Sequence, residues 1–121
     1  TVHLVHADLA DFVIEPSAWD AIISIFCHLP PTLRRRVHRS AVSGLKPGGA
    51  FLLEGFTPAQ LQLGTGGPSS LELMMDLEAL RDELTGLDFT HARELERVFD
   101  EGEFHRGRSA VVQILGIKAG A

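Results

Sequence analysis

Two short apolar runs mark the first half of the chain. The first is Ala21-Ile22-Ile23-Ser24-Ile25-Phe26, entered through Trp19-Asp20; the second is Ala50-Phe51-Leu52-Leu53, ending at Glu54-Gly55-Phe56. Short runs rich in β-branched and aromatic residues are the pattern of strands buried on both faces. Between them Leu33, Val37, Ala41, Val42 and Leu45 recur at helical spacing, with Arg34, Arg35, Arg36 and Arg39 mostly elsewhere. That predicts a helix with an apolar stripe and a solvated basic face. Pro31 suits its first turn, Gly44 suits its C-terminal cap, and Lys46-Pro47-Gly48-Gly49 stops it and turns the chain. Strand, helix and strand with a crossover make a parallel βαβ unit of right-handed connection.

The flanking segments extend this unit. Thr1–Leu9 reads as a strand, with Val2, Leu4 and His6 alternating with His3 and Val5, followed by a turn to Phe12. After Phe56, Ala59–Leu63 fits one helical turn. Gly64-Thr65-Gly66-Gly67-Pro68 lacks the Gly-Lys-Ser/Thr ending of a phosphate loop and reads as a hinge. Ser69 and Glu72 form a capping box for a helix whose stripe is Leu73, Leu77, Leu80 and Leu84, stopped at Gly86. Phe89–Phe99 and Arg108–Lys118 read as a long antiparallel hairpin around Asp100–Glu103. The expected class is α/β: parallel strands with a C-terminal antiparallel hairpin.

Composition narrows the functions. The chain has 121 residues, enough for one domain around one core. Its net charge of −5 argues against a nucleic-acid partner, since phosphate contacts need a basic excess. The single cysteine, Cys27, excludes an intrachain disulfide and suits a reducing cytoplasm. No apolar run nears the ~20 residues of a membrane span, and no basic-then-apolar leader opens the chain. The expectation is a cytoplasmic domain without nucleic-acid or membrane partners.

In open α/β sheets ligands bind beyond the carboxyl ends of the parallel strands. Those ends carry Phe26, Cys27 and His28 on one side and Glu54 and Phe56 on the other. An aromatic ring there favours a cation, and a histidine can move a proton or hydrogen-bond a substrate. Cys27 also reads as a small apolar packing residue, and His28 as a cap of the next helix. A cysteine hydrolase is a poor fit, because neighbouring residues point apart and no orienting acid is evident. The six histidines show no metal-ligand spacing.

In order and at this spacing, "WDAIISIFCHLP" and "LKPGGAFLLEGF" resemble the central part of class I S-adenosylmethionine (SAM)-dependent methyltransferases. The bacterial tellurite-resistance-like subgroup is the nearest match, and "DEGEFHRGRSAVVQILGIK" resembles its tail. The resemblance implies a Rossmann-like sheet lacking its first βαβ unit, because the glycine loop and the acid that hold SAM in that family have no counterpart here. It implies that the last strand lies antiparallel beside the family's fifth strand, here the run entered through Leu45-Lys46-Pro47-Gly48-Gly49, and that SAM is the cofactor of the complete domain, bound weakly or not at all by this chain. It implies a small-molecule acceptor. Asp8 and the Leu9 amide would face adenine; Phe26 and Cys27 would complete the cofactor side; His28 would be catalytic. Glu54, Phe56 and His105 would face the acceptor. Two expectations follow from the missing unit. The natural protein is longer; otherwise the chain is a non-catalytic module that forms a homodimer through the exposed edge of its central strand.

Overall fold

The computed structural model describes residues 1–64, 66–67, 70–100 and 106–120. The first apolar run forms strand β1 (Trp19–Ile25), the helical pattern forms α1 (Pro31–Gly44), and the second run lies in strand β2 (Leu45–Phe56). β1 and β2 are parallel, from Ala21 opposite Ala50 to Ile25 opposite Glu54. β2 begins earlier than its apolar run because Lys46–Gly49 loop out between the pairs Trp19–Leu45 and Ala21–Ala50, with Gly48 at φ 82°. The end of α1 is held by Lys118, whose Nζ donates to the Leu45 carbonyl at 2.7 Å.

Beyond β2 come one turn of helix, α2 (Gln60–Leu63), a 3-10 turn (Leu71–Leu73) and α3 (Leu77–Glu83). The hairpin follows as β3 (Leu87–Asp100) and β4 (Arg106–Lys118). The sheet order is β1-β2-β4-β3, with β4 antiparallel to both neighbours. The last strand is therefore inserted beside β2, as expected. The turn itself and His105 lie outside the described residues.

One sheet face makes the core. Phe51 and Leu53 of β2 and Val112 and Ile114 of β4 pack beneath Ala41 of α1 and Leu80 and Leu84 at α3. On the opposite face, at the strand tips, Phe56, Val111 and Met74 form a second cluster with Phe26 and Leu95.

Four sequence expectations fail, each for a tertiary reason. Thr1–Leu9 is not a strand: Val2, Leu4 and Val5 are 82%, 93% and 68% exposed. Alternation alone does not make a strand without a neighbour to satisfy its backbone. Neither β1 nor β2 is buried on both faces: Ile23 is 67% and Leu52 40% exposed on the sheet face opposite the core. The helix expected from Ser69 is broken: Met74 is extended, and the Met75 amide donates to the Phe56 carbonyl at 2.9 Å. A new start at Asp76 caps α3, its carboxylate accepting from the Ala79 amide at 2.8 Å. Ser69 lies outside the described residues.

The fourth concerns the basic face of α1, which is solvated at Arg35, Arg36 and Arg39 but not at Arg34. The helix turns Arg34 and His38 inward, in line with Ala41. Arg34 grips the buried Glu83 carboxylate through Nε (3.0 Å) and Nη2 (2.8 Å) and gives Nη1 to the Met74 carbonyl at 3.1 Å. His38 Nδ1 lies 2.8 Å from Glu83 Oε1. This cluster ties α1 to α3 and to the broken segment before it. Leu33 and Val37 are only half-buried, flanking this line.

Burial pushes the Glu83 carboxyl up. The hydrogen bonds from His38 and Arg34, with their charge, outweigh burial and leave it below the usual carboxylate range. A depressed carboxyl contributes stability above the unfolded-state value and loses it as pH falls through the folded one. Urea denaturation should therefore show a stability decline on acidification below the ordinary carboxylate range, absent in Glu83→Ala. At neutral pH that variant, which leaves Arg34 buried without its partner, should lose about 3–5 kcal/mol.

Candidate functional site

The carboxyl ends of β1 and β2 are joined by side chains as well as by the ladder. Phe26 leaves β1 with φ 50°, a left-handed conformation uncommon for a bulky residue, while its amide donates to the Glu54 carbonyl at 2.8 Å. That turn carries Cys27 and His28 over the end of β2. His28 Nε2 accepts the Phe56 amide proton at 2.9 Å. Its ring stacks on Phe56 (centroids 5.4 Å, planes 11° apart), and Phe26 lies 4.7 Å from Phe56. Phe26, His28 and Phe56 thus form one aromatic group at the tips of the two parallel strands.

Glycine makes this close approach possible. A Cβ at Gly55 would run into the Met75 methyl and lie 3.4 Å from His28 Nε2. The Phe56 carbonyl, next along the chain, takes the Met75 amide at 2.9 Å, so the backbone after β2 is anchored on both sides.

The environment keeps the site uncharged. Burial lowers the His28 imidazole below its usual value, against a smaller opposing effect of its hydrogen bond with the Phe26 backbone. Burial pushes the Cys27 thiol up, so it stays protonated at neutral pH. With Nε2 taken by the Phe56 amide, His28 holds the two strand tips in register. This arrangement leaves that nitrogen no proton-accepting role toward a substrate.

Glu54 points from the sheet face opposite the core. Arg97 grips it through two hydrogen bonds of 2.8 Å, and Gln113 Nε2 donates to it at 2.9 Å. His91 lies 3.1 Å from Gln113 Oε1. A cavity of about 420 Å³ opens over Glu54, His91 and Gln113, walled by Ile25, Leu52 and Leu115. Sequence reasoning missed Arg97, His91 and Gln113. Their signal, polar residues alternating along two paired strands, carries meaning only once the register is known.

Asp8 lies on a turn and is exposed; its Oδ1 accepts the Ala10 amide at 2.8 Å, and its carbonyl accepts the amides of Asp11 and Phe12. Leu9 and Cys27 line a common apolar cavity of about 310 Å³ with Ile14, Ile22–Ile25, Val37, His38 and Phe51. The structure thus brings Leu9 to Cys27, and Phe26 to His28 and Phe56, while Glu54 sits in a separate polar group. Among the described residues, no cluster of three or more His, Cys, Asp or Glu side chains is arranged to hold a metal ion. No described helix is long and apolar enough to cross a membrane.

No family model and no curated protein matches the chain. Solved structures do. A SAM-dependent methyltransferase from Methanosarcina mazei superposes with a TM-score of 0.68 at 17% identity, over 95% of this chain and 66% of its own. TehB from Haemophilus influenzae gives 0.69 at 12% identity, over 94% of this chain and 40% of its own. The N-methyltransferase NodS from Bradyrhizobium japonicum, in complex with S-adenosyl-L-homocysteine, gives 0.61 at 14% identity, over 93% and 52%. The chain therefore has part of the Rossmann-like fold of SAM-dependent methyltransferases, and spans 40 to 66% of the length of these structures.

Two substitutions probe the tips. Gly55→Ala should destabilise the chain by about 1–3 kcal/mol, read from the urea midpoint, because Met75 and the anchored Phe56 backbone must shift. A histidine whose folded value is lowered contributes stability that is complete above the usual imidazole range and lost as pH falls through the folded value. His28→Ala should remove that dependence and speed exchange of the Phe56 amide.

Proposed function

We propose that the chain carries part of a methyl-transfer site that uses SAM and acts on a small-molecule acceptor. The observation that carries this reading is the aromatic group of Phe26, His28 and Phe56 at the carboxyl ends of two parallel strands, within a partial methyltransferase fold. SAM, when bound, would supply a methyl group that bonds to the acceptor as the carbon–sulfur bond breaks in line and the sulfur leaves as a neutral thioether. Such a reaction needs positioning and exclusion of water more than acids and bases.

The residues fit that demand. The half-buried Phe26 ring, backed by the buried Phe56, suits a desolvated cation. Leu9 and Cys27 offer an apolar wall for a flat ring, with the Asp8 turn beside it to bond the ring's polar edge. Cys27 stays a neutral thiol and adds no charge to that wall. His28 acts as a positioning residue, fixing Phe56 against Phe26. Glu54, held by Arg97 and Gln113, sets the polarity of the acceptor side. His105 remains a candidate from the sequence alone, and a reducing cytoplasm remains the setting that Cys27 suits.

Calorimetric titration of SAM tests the reading on the 121-residue chain and on the same chain extended upstream in its own reading frame. The extended form should bind saturably, and Asp8→Ala should weaken it about tenfold, with at most weak binding by the shorter form. Absence of binding by both forms contradicts the reading.

A second reading rests on the edge position of β1 with Ile23 and Ile25 exposed. It is a non-catalytic chain that associates with a second copy through that edge.

A further inference from the structure

Helix α1 reaches both sides of the strand tips through two arginines that stand two residues apart. Side chains so spaced diverge by about 200° around a helix. Arg34 is buried and gives Nη1 to the Met74 carbonyl at 3.1 Å. The next residue along, Met75, donates its amide to the Phe56 carbonyl at 2.9 Å. Arg36 is exposed, and its Nη2 donates to the Ala10 carbonyl at 2.8 Å. One stretch of helix thus holds the backbone beside the aromatic group and the backbone of the Asp8 turn.

The Asp8 turn depends on that second bond. Internally it is closed by Asp8, whose Oδ1 accepts the Ala10 amide at 2.8 Å and whose carbonyl accepts the Asp11 and Phe12 amides at 2.9 Å. Toward α1 it is loosely packed: a cavity of about 240 Å³ opens between Leu9–Ile14 and the Arg36, Val37 and Ser40 side chains. The next firm anchor is Ile14, which packs against the core and occupies the place that a Cβ on Gly44 would take. Ser17 and Ala18 follow, their amides donating to the Ser43 and Gly44 carbonyls at 2.9 Å. Among the described residues, the Arg36 bond is the only hydrogen bond that ties residues 8–12 to the rest of the chain. A turn closed on itself but thinly packed keeps its shape and loses its place when its tether is cut.

We propose that Arg36 is a positioning residue for the cofactor. It holds the Asp8–Phe12 turn beside the wall made by Leu9 and Cys27, so that the polar groups of the turn are preorganised for the nucleoside end of SAM. Arg34 does the corresponding work for the segment behind Phe56. The proposal rests on the reading in which Asp8 and Leu9 face the adenine ring, and it adds a residue that itself touches no ligand.

The test compares Arg36→Ala with Arg35→Ala. Arg35 is also exposed and makes no hydrogen bond or ion pair among the described residues, so its loss removes the same charge and leaves the tether intact. Urea midpoints of both variants should match the parent. In the 121-residue chain, the proton–nitrogen heteronuclear NOE of the Leu9–Phe12 amides should fall in Arg36→Ala and keep the parent value in Arg35→Ala. In the chain extended upstream in its own reading frame, calorimetric titration should show Arg36→Ala weakening SAM about fivefold, the scale of one exposed hydrogen bond from a charged donor. Methylthioadenosine, which keeps the nucleoside and lacks the amino acid, should weaken by the same factor. Arg36→Lys, which keeps a cationic donor, should recover part of both losses. Unchanged NOE values in Arg36→Ala overturn the proposal. So does an equal loss of affinity in Arg35→Ala, which would assign the effect to charge. An extended parent that binds SAM with Arg36→Ala binding equally well overturns this proposal alone. Failure of every extended form to bind overturns the cofactor role together with the methyl-transfer reading, so the two failures are told apart.

Discussion

The parallel pairing of β1 with β2 is the constraint on which the rest depends. It is long-range, closed by a fourteen-residue crossover helix, and it brings two carboxyl ends to one place. Parallel neighbours are bought with such crossovers, and the helix must then find cover. α1 finds it on the sheet face made by Phe51, Leu53 and Ile114. β4 then occupies the other side of β2, which leaves β1 at the margin.

Polar groups finish what apolar packing begins. Within the core layer, Arg34, His38 and Glu83 join α1 to α3, and every one of them is buried. Across the opposite face, Arg97, Gln113 and Glu54 stitch β3, β4 and β2 together. At the tips, His28 does the same for the segment after β1 and the end of β2. Each cluster is satisfied internally, as buried polar groups must be. The aromatic group at the tips inherits its rigidity from these contacts: Phe56 is held by its amide, its carbonyl and both ring neighbours.

The βαβ unit and the hairpin were legible because their signals are local: apolar runs, helical spacing, and punctuation at Pro31 and Gly86; Gly44, read as a cap, is instead the last helical residue, and Leu45 caps the helix. The position of β4 beside β2 came from family resemblance rather than from pattern. What pattern reading could not see was partnership. Arg34 looks like a solvated residue until Glu83, forty-nine residues away, arrives beside it. Thr1–Leu9 looks like a strand in composition, but pairing depends on a neighbour, and none of the described strands lies beside it. The helix expected through Leu73–Leu84 was broken at Met74 and Met75, whose backbone answers to Phe56 and Arg34 rather than to its own sequence. At the site, the sequence pointed to His28 by its chemistry; its bond to the Phe56 amide, twenty-eight residues away, became visible only in the fold.

The direction of β1 relative to β2 can be measured in solution by proton nuclear Overhauser contacts. The account predicts cross-strand contacts that advance together along both strands, Ala21 with Ala50, Ile23 with Leu52 and Ile25 with Glu54. Close Hα–Hα contacts whose order reverses, the mark of an antiparallel pair, or no contact between the two segments, would contradict it.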